Sequence, residues 1–431
     1  MTRARLLFLA PLALAAACGS GGSGAGGSGS GTGGVAAGTG GAATGGSSGT
    51  SAGGTATGGH PGGGGGAGGP ASGGGSGSGG GASGAAGGGH GGTAGAAGAP
   101  ASGGAGGGNL PALVVNGTHL QDAAGKTIVL RGSSLIDIGS LYWYGGQSAA
   151  GITARMDKVA AAGVQGHVVR LPVYPKVDYN TGGSPDCSPC PYPVGTGPTA
   201  SCTPKSPLSA ADYVANVLKP AVDYAASKNL YAIIDYHQID NATTGTSAAD
   251  AKTFWTDVAP KFAGSSNVLF EPFNEPIDYS ASWSALKPVV QQLIDTIRAS
   301  APQNVIIVPS NAWDQHPGDA ASDPPTGTNL MYTAHIYPNN WTSTFQSQVA
   351  TAVKKAPVFI TEWGYGDTDP ASFGTGLQST VDADGASWTA WVTDNAWTPS
   401  IFADTNLTTL TNFGTLVKTW LAAKASSDWV Q

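Results

Sequence analysis

From Leu110 onward, eight short runs of apolar and β-branched residues recur, each followed by a stretch of helical spacing or a long loop. The runs are Ile128–Gly132, His167–Leu171, Tyr231–Asp235, Val268–Phe273, Val305–Val308, Met331–His335, Val358–Thr361 and Ala386–Ala390. Between them, Thr153–Ala162, Ala210–Ser227 and Trp283–Ala299 repeat their apolar residues at helical intervals. Eight strands alternating with helices predict an α/β fold, a (β/α)8 TIM barrel. A doubly wound open sheet is the alternative, but no glycine-rich phosphate loop follows the first strand. A hairpin over Leu113–Leu120, turning at Asn116-Gly117, is expected to plug the barrel floor.

The barrel, residues 109–431, is preceded by two segments of different character. Arg3 and Arg5 stand before an apolar stretch from Leu6 to Ala17, and small residues lead up to Cys18. Residues 1–18 therefore read as a signal peptide, too short to span a membrane, and the chain is expected to be exported. Ala15-Ala16-Ala17-Cys18-Gly19 also resembles a bacterial lipoprotein cleavage site, with Cys18 as the lipidated residue and Leu14 one place further from it than usual. An ordinary signal peptide, removed together with Cys18, is the alternative. Residues 19–108 hold most of the 70 glycines, mixed with Ser, Ala and Thr. Such a tract cannot bury an apolar face, so a disordered Gly/Ser/Ala-rich linker is expected, with His60 and His90 as solvated linker residues. Its root-mean-square reach would be roughly 50 Å. With lipid on Cys18 it would tether the domain to a cell surface.

The formal net charge is −7 and charged residues make up 10% of the chain, without a basic cluster. Nucleic acid as a partner is excluded on that ground. Cys187, Cys190 and Cys202 share one Pro-rich insertion; an exported chain favours a disulfide there, with one thiol left over. A zinc site would want a fourth ligand, and no histidine lies nearby.

In barrels of this kind the groups that do chemistry stand where the strands run out at their C-terminal ends. Polar and aromatic residues follow the apolar runs here in the same way. Arg170 ends the second run, His237 follows the third, and Asn274-Glu275 closes the fourth. His335 and Tyr337 close the sixth, Glu362 the seventh, and Trp388 and Trp391 mark the eighth. Two carboxylates on one rim, Glu275 and Glu362, are what double displacement at a glycosidic bond requires, with the carboxyl groups about 5–5.5 Å apart. Their environments must push the two pKa values apart. Glu271 is expected to be structural, and Asp235 to fix neighbouring side chains. Trp313 and Trp341 could stack on sugar faces or pack the rim.

Taken in order, Val168-Val169-Arg170-Leu171-Pro172, Asp235-Tyr236-His237, Glu271-Pro272-Phe273-Asn274-Glu275-Pro276, His335-Ile336-Tyr337 and Thr361-Glu362-Trp363-Gly364 resemble glycoside hydrolase family 5. The resemblance runs through the whole domain and implies Glu275 as acid/base and Glu362 as nucleophile. It implies Arg170, His237, Asn274, His335, Tyr337 and an eighth-strand tryptophan as supporting groups, Trp391 in preference to Trp388. It further implies an endo-acting β-1,4-glucanase, with β-mannan, xyloglucan, mixed-linkage glucan and xylan as alternative substrates, and no cofactor or metal. A polysaccharide partner and a monomeric chain are expected. A carbohydrate-binding surface protein without turnover is the reading from another class; it would be expected to lack one of the two carboxylates. His167, where family members often carry Asn, and the long Cys-bearing insertion are departures from the family pattern.

Overall fold

The computed structural model describes residues 110–174, 208–278 and 282–427. The segments read as signal peptide and linker, and Cys187, Cys190 and Cys202, lie outside the described residues.

Eight parallel strands close into a barrel. They are β1 (Arg131–Ser134), β2 (Val168–Val173), β3 (Tyr231–Tyr236), β4 (Val268–Glu271), β5 (Ile306–Val308), β6 (Leu330–Ile336), β7 (Val358–Trp363) and β8 (Ser387–Ala390). Each strand pairs with its neighbours in sequence, and β8 closes the ring on β1 through Trp388 opposite Arg131 and Ala390 opposite Ser133. The predicted (β/α)8 barrel is the observed fold. The first strand begins three residues later than its apolar run suggests, because Ile128 and Leu130 pack under the barrel instead.

Strand side chains alternate between two cores, as the period of two demands. Val168, Tyr231, Ile233, Leu269, Ile307, Met331 and Phe359 fill the barrel's lower interior. Their sequence neighbours Val169, Ala232, Ile234, Phe270, Ile306, Tyr332 and Ile360 face the helices. The helix Trp283–Arg298 shows how that shell is made, burying Trp283, Leu286, Val290, Leu293, Ile294 and Ile297 at three- and four-residue steps. Ala210–Ser227 forms one continuous helical stretch, loosened to a π-helical turn over Val214–Leu218.

The opening hairpin pairs Val114–Asn116 with His119–Gln121, and its two-residue loop is Gly117-Thr118, one step later than the sequence suggested. Gly117 has φ +60°, a value glycine adopts without penalty. Leu113 and Leu120 join the lower barrel core, and the Tyr231 hydroxyl donates to the Pro111 carbonyl at 2.8 Å. The floor is thereby closed with apolar residues, and the polar residues are left at the opposite rim.

Candidate active site

Glu362 reaches the barrel mouth through an irregularity in β7. Thr333 lies opposite Phe359 and His335 opposite Glu362, so two steps on β6 span three on β7. The same extra residue recurs against β8, where Ile360 faces Trp388 and Trp363 faces Ala390. A β-bulge of this kind changes which face a side chain takes. Thr361 points inward, touching Thr333 Oγ1 and lying 3.0 Å from His335 Nε2. Glu362 follows it to the same rim, while Trp363 turns outward onto Phe413, Trp388 and Trp420.

Glu275 is placed by a separate device. β4 ends at Glu271, and Glu275-Pro276 forms a two-residue parallel ladder with Ile239-Asp240 above the barrel. The Glu275 N–H donates to the Gln238 carbonyl and the Asn274 N–H to the Tyr236 carbonyl, both at 3.0 Å. Trp255 Nε1 donates to the Pro272 carbonyl at 2.8 Å and fixes the exit from β4.

Arg170 is fully buried at the centre of the cluster. Its Nη1 donates to Glu362 Oε1 at 2.6 Å, its Nε to Glu271 Oε2 at 2.7 Å and its Nη2 to Asn274 Oδ1 at 2.5 Å. Asp235 Oδ2 lies 3.0 Å from the same Nη2. A planar guanidinium can serve four acceptors at once, which an ammonium group cannot. Asn274 Oδ1 is thus committed to Arg170, and its Nδ2, buried with no hydrogen-bond partner among the described residues, is left to donate.

Glu362 takes its second bond from the Tyr337 hydroxyl, which donates to Oε2 at 2.7 Å. Burial alone would raise this carboxyl. The charges of His335 and Arg170, the nearby His237 and the Tyr337 hydrogen bond together outweigh burial and hold it at about 2. Burial, and then the Glu362 charge, pushes the Tyr337 phenol well above its ordinary value, so it remains a donor. His335 Nδ1 lies 2.8 Å from Glu275 Oε1 and 3.6 Å from Glu362 Oε2. Burial lowers this imidazole, but Glu362, Glu271 and Glu275 raise it further, and the net shift is well upward.

The other wall is aromatic. Asp235 Oδ2 holds His237 Nδ1 at 2.6 Å, and the His237 ring stacks on Trp391 at 5.1 Å with 7° between planes. Tyr174 also stacks on His237, with ring centroids 4.2 Å apart. The Arg170 guanidinium carbon lies 5.9 Å from the Trp391 ring centroid. A side chain at Gly364 would place its Cβ 2.5 Å from Pro399 Cγ and 2.8 Å from the Trp391 carbonyl oxygen, so the loop carrying Trp391 closes against a bare backbone.

A Glu275 oxygen, a Glu362 oxygen and a His335 ring nitrogen all lie within 4.8 Å of one another. The trio has ligand-like spacing, but a cation there would sit against the Arg170 guanidinium. The sequence model described as Cellulase (glycosyl hydrolase family 5) matches residues 121–397. The chain belongs to glycoside hydrolase family 5.

Relatives within reach of direct comparison are named endoglucanases. That of Clostridium saccharobutylicum is 32% identical over 193 residues, 43% of this chain and 42% of the relative. Endoglucanase Z of Dickeya dadantii is 31% identical over 176 residues, 40% of this chain and 39% of the relative. The chain therefore spans about two fifths of these curated relatives. A β-glucanase from Saccharophagus degradans shares the fold with a TM-score of 0.60 at 22% identity, covering 74% of this chain and 94% of that one. The endoglucanase catalytic domain of Thermobifida fusca does so at 0.54 and 22%, covering 72% and 97%.

Of the residues singled out from sequence, the family 5 barrel brings together Arg170, His237, Asn274, Glu275, His335, Tyr337, Glu362 and Trp391. Trp388 requires correction. It is fully buried between barrel and helices, 4.5 Å from the Trp420 ring and 5.4 Å from Trp363, so it packs the outer core and does not reach the cleft. Ordinary strand alternation explains the difference: Trp388 stands opposite Ile360 and faces the helices with it, as part of the same outer core. Trp341 packs edge-on against Phe345 at 5.4 Å. Three site neighbours escaped the sequence reading. Thr361 was hidden by the bulge and Tyr174 by its place just past β2. Asp314 lies in a segment with no apolar pattern.

Proposed function

We propose that this family 5 member is an exported endo-acting β-1,4-glucanase that works by double displacement. The observation that carries the mechanism is the approach of Glu275 and Glu362 oxygens to within 4.8 Å. Retaining glycosidases separate their carboxyl groups by about 5–5.5 Å, whereas inverting enzymes leave roughly 6.5–9.5 Å for a water. Glu362, ionised by Arg170 and Tyr337, attacks the anomeric carbon. Glu275 gives its proton to the departing glycosidic oxygen, which takes the electrons of the broken bond. The ester so formed removes the Glu362 charge. Glu275, now a carboxylate, takes a proton from water, whose oxygen bonds to the anomeric carbon and releases Glu362. Asn274 Nδ2 donates to the sugar 2-hydroxyl, and Trp391 with His237 forms the floor under the ring.

Cellulosic glucan is favoured as substrate by the endoglucanase relatives and by the β-glucanase of Saccharophagus degradans, whose structure holds cellotetraose. Residues 1–18 direct export, Cys18 is the site for a lipid, and residues 19–108 act as the tether. A non-catalytic binder would have no need of two carboxylates held this close. The test is reducing-sugar release by the full chain, with the Glu362→Gln variant as control. The panel is carboxymethylcellulose, barley β-glucan, xyloglucan, glucomannan, galactomannan and xylan. Cleavage of the first two supports the reading. Preference for a mannan, xyloglucan or xylan replaces the substrate, and silence on all six rejects the function.

A further inference from the structure

Asp314 takes no part in the chemistry above, yet it is fully buried beside it. It follows β5 in a segment where Ala312, Trp313 and Asp314 have φ of 55°, 55° and 56°. Non-glycine residues rarely hold that left-handed conformation, and three in a row need a surrounding structure that imposes it. Asp314 Oδ1 accepts the Ser310 N–H at 2.5 Å, and Ser310 Oγ accepts the His316 N–H at 3.1 Å. The turn so fixed sets Asp314 Oδ2 3.7 Å from His335 Nε2. That oxygen has no hydrogen-bond partner among the described residues, and His335 is the one ion-pair contact Asp314 makes among them. A buried carboxyl in this position needs its charge answered by a neighbour.

His335 is faced by carboxyl groups from several elements. Glu275 and Glu362 stand on its Nδ1 edge at 2.8 and 3.6 Å. On the Nε2 edge are Thr361 Oγ1 at 3.0 Å, Asp314 Oδ2 at 3.7 Å and Glu271 Oε1 at 3.9 Å. Glu271 already has a cation, Arg170, at 2.7 Å, which leaves Asp314 as the acid answered by the ring alone.

Resting on the double-displacement reading, we propose that Asp314 is a positioning residue for acid/base catalysis. As counter-charge on the Nε2 edge, it keeps His335 donating its Nδ1–H to Glu275 Oε1, so that Glu275 carries its catalytic proton on Oε2. In the first step that Oε2 proton passes to the leaving oxygen. In the second, Oε2 receives a proton from water, with Oε1 still bonded to the ring. A His335 that has lost its proton presents a bare Nδ1, which would draw the Glu275 proton to Oε1 and away from the substrate. Burial raises the Asp314 carboxyl well above the ordinary range, and the His335 charge is the largest influence opposing that rise.

The test is Asp314→Asn in the full chain, which keeps an oxygen for the Ser310 N–H, with Asp314→Ser as a second variant should the first not fold. Two quantities are read. One is the His335 ring titration by 15N NMR, assigned by its absence in His335→Gln. The other is the pH profile of kcat and kcat/KM on a soluble glucan. Removing a carboxylate lowers the ring pKa, so the ring proton should leave at lower pH, by roughly one unit or more. The alkaline limb should move down with it, through kcat more than KM, and the rate should approach that of the parent at low pH. An unchanged His335 titration, or an alkaline limb that stays or moves up, overturns the proposal. A parent chain silent on every glucan rejects the functional reading, and the catalytic half of the proposal falls with it. The titration then still decides whether Asp314 governs His335.

Discussion

His335 lies opposite Glu362 across the β6–β7 ladder, although alternation counted from Thr333 and Phe359 would set Thr361 there. One inserted residue brings Thr361 and Glu362 to the same side of β7. The carboxylate thereby meets Arg170 Nη1 at 2.6 Å and the Tyr337 hydroxyl at 2.7 Å. The position of the bulge decides where Glu362 stands.

Replacing either carboxyl tests the division of roles. Glu362→Gln should lower kcat by about 10³-fold or more, and Glu275→Gln by roughly 10²–10⁴-fold on substrates with poor leaving groups. Both proteins should melt cooperatively. Substantial turnover by either, measured as reducing ends on carboxymethylcellulose, contradicts the assignment.

Tyr337→Phe removes one donor from Glu362 and no carbon from the fold. A hydrogen bond to a charged acceptor contributes about 1.5–3 kcal/mol, so kcat/KM should fall about 10- to 100-fold. Steady-state kinetics at fixed pH reads this directly; an unchanged value means the hydroxyl does not act on Glu362.

Arg170→Lys should unfold easily. It strips Glu271, Asp235 and Asn274 of a shared partner inside the barrel, and breaking buried ion pairs costs about 3–5 kcal/mol. Urea denaturation at neutral pH gives the loss; a change below about 1 kcal/mol would show the network to be slack.

The pH dependence of stability follows from Glu362. Its carboxyl moves from 4.5 to about 2 on folding, so its contribution is full above about pH 4.5 and is lost as the pH falls through about 2. Between those values the parent protein should lose stability with falling pH more steeply than Glu362→Gln. Urea midpoints from pH 5 to about 2 compare the two, and parallel slopes would deny the depressed value.

The barrel was legible because its strands are apolar on both faces, and eight such runs leave few alternatives. Arg170, His335 and Asn274 were legible because they end or follow those runs. Trp388 is set by plain alternation along β8, where it faces the helices beside Ile360, and only Trp391, past the strand end, reaches the cleft. The bulge in β7 governs Thr361 and Glu362 instead, and no residue type in Phe359-Ile360-Thr361 announces an insertion. Asp314 was invisible because its contact with His335 depends on three left-handed residues, a backbone choice the letters Ala, Trp and Asp do not signal. Trp388→Ala should accordingly cost about 3–5 kcal/mol of stability while leaving kcat/KM of the folded fraction unchanged.

The central claim is that Glu362 attacks the anomeric carbon while Glu275 passes the proton. Following the first minutes of cello-oligosaccharide hydrolysis by 1H NMR tests it most directly. The β-anomer should appear first, with the α-anomer growing in only by mutarotation. An initial α-anomer would mean a single displacement and would remove Glu362 from the role of nucleophile.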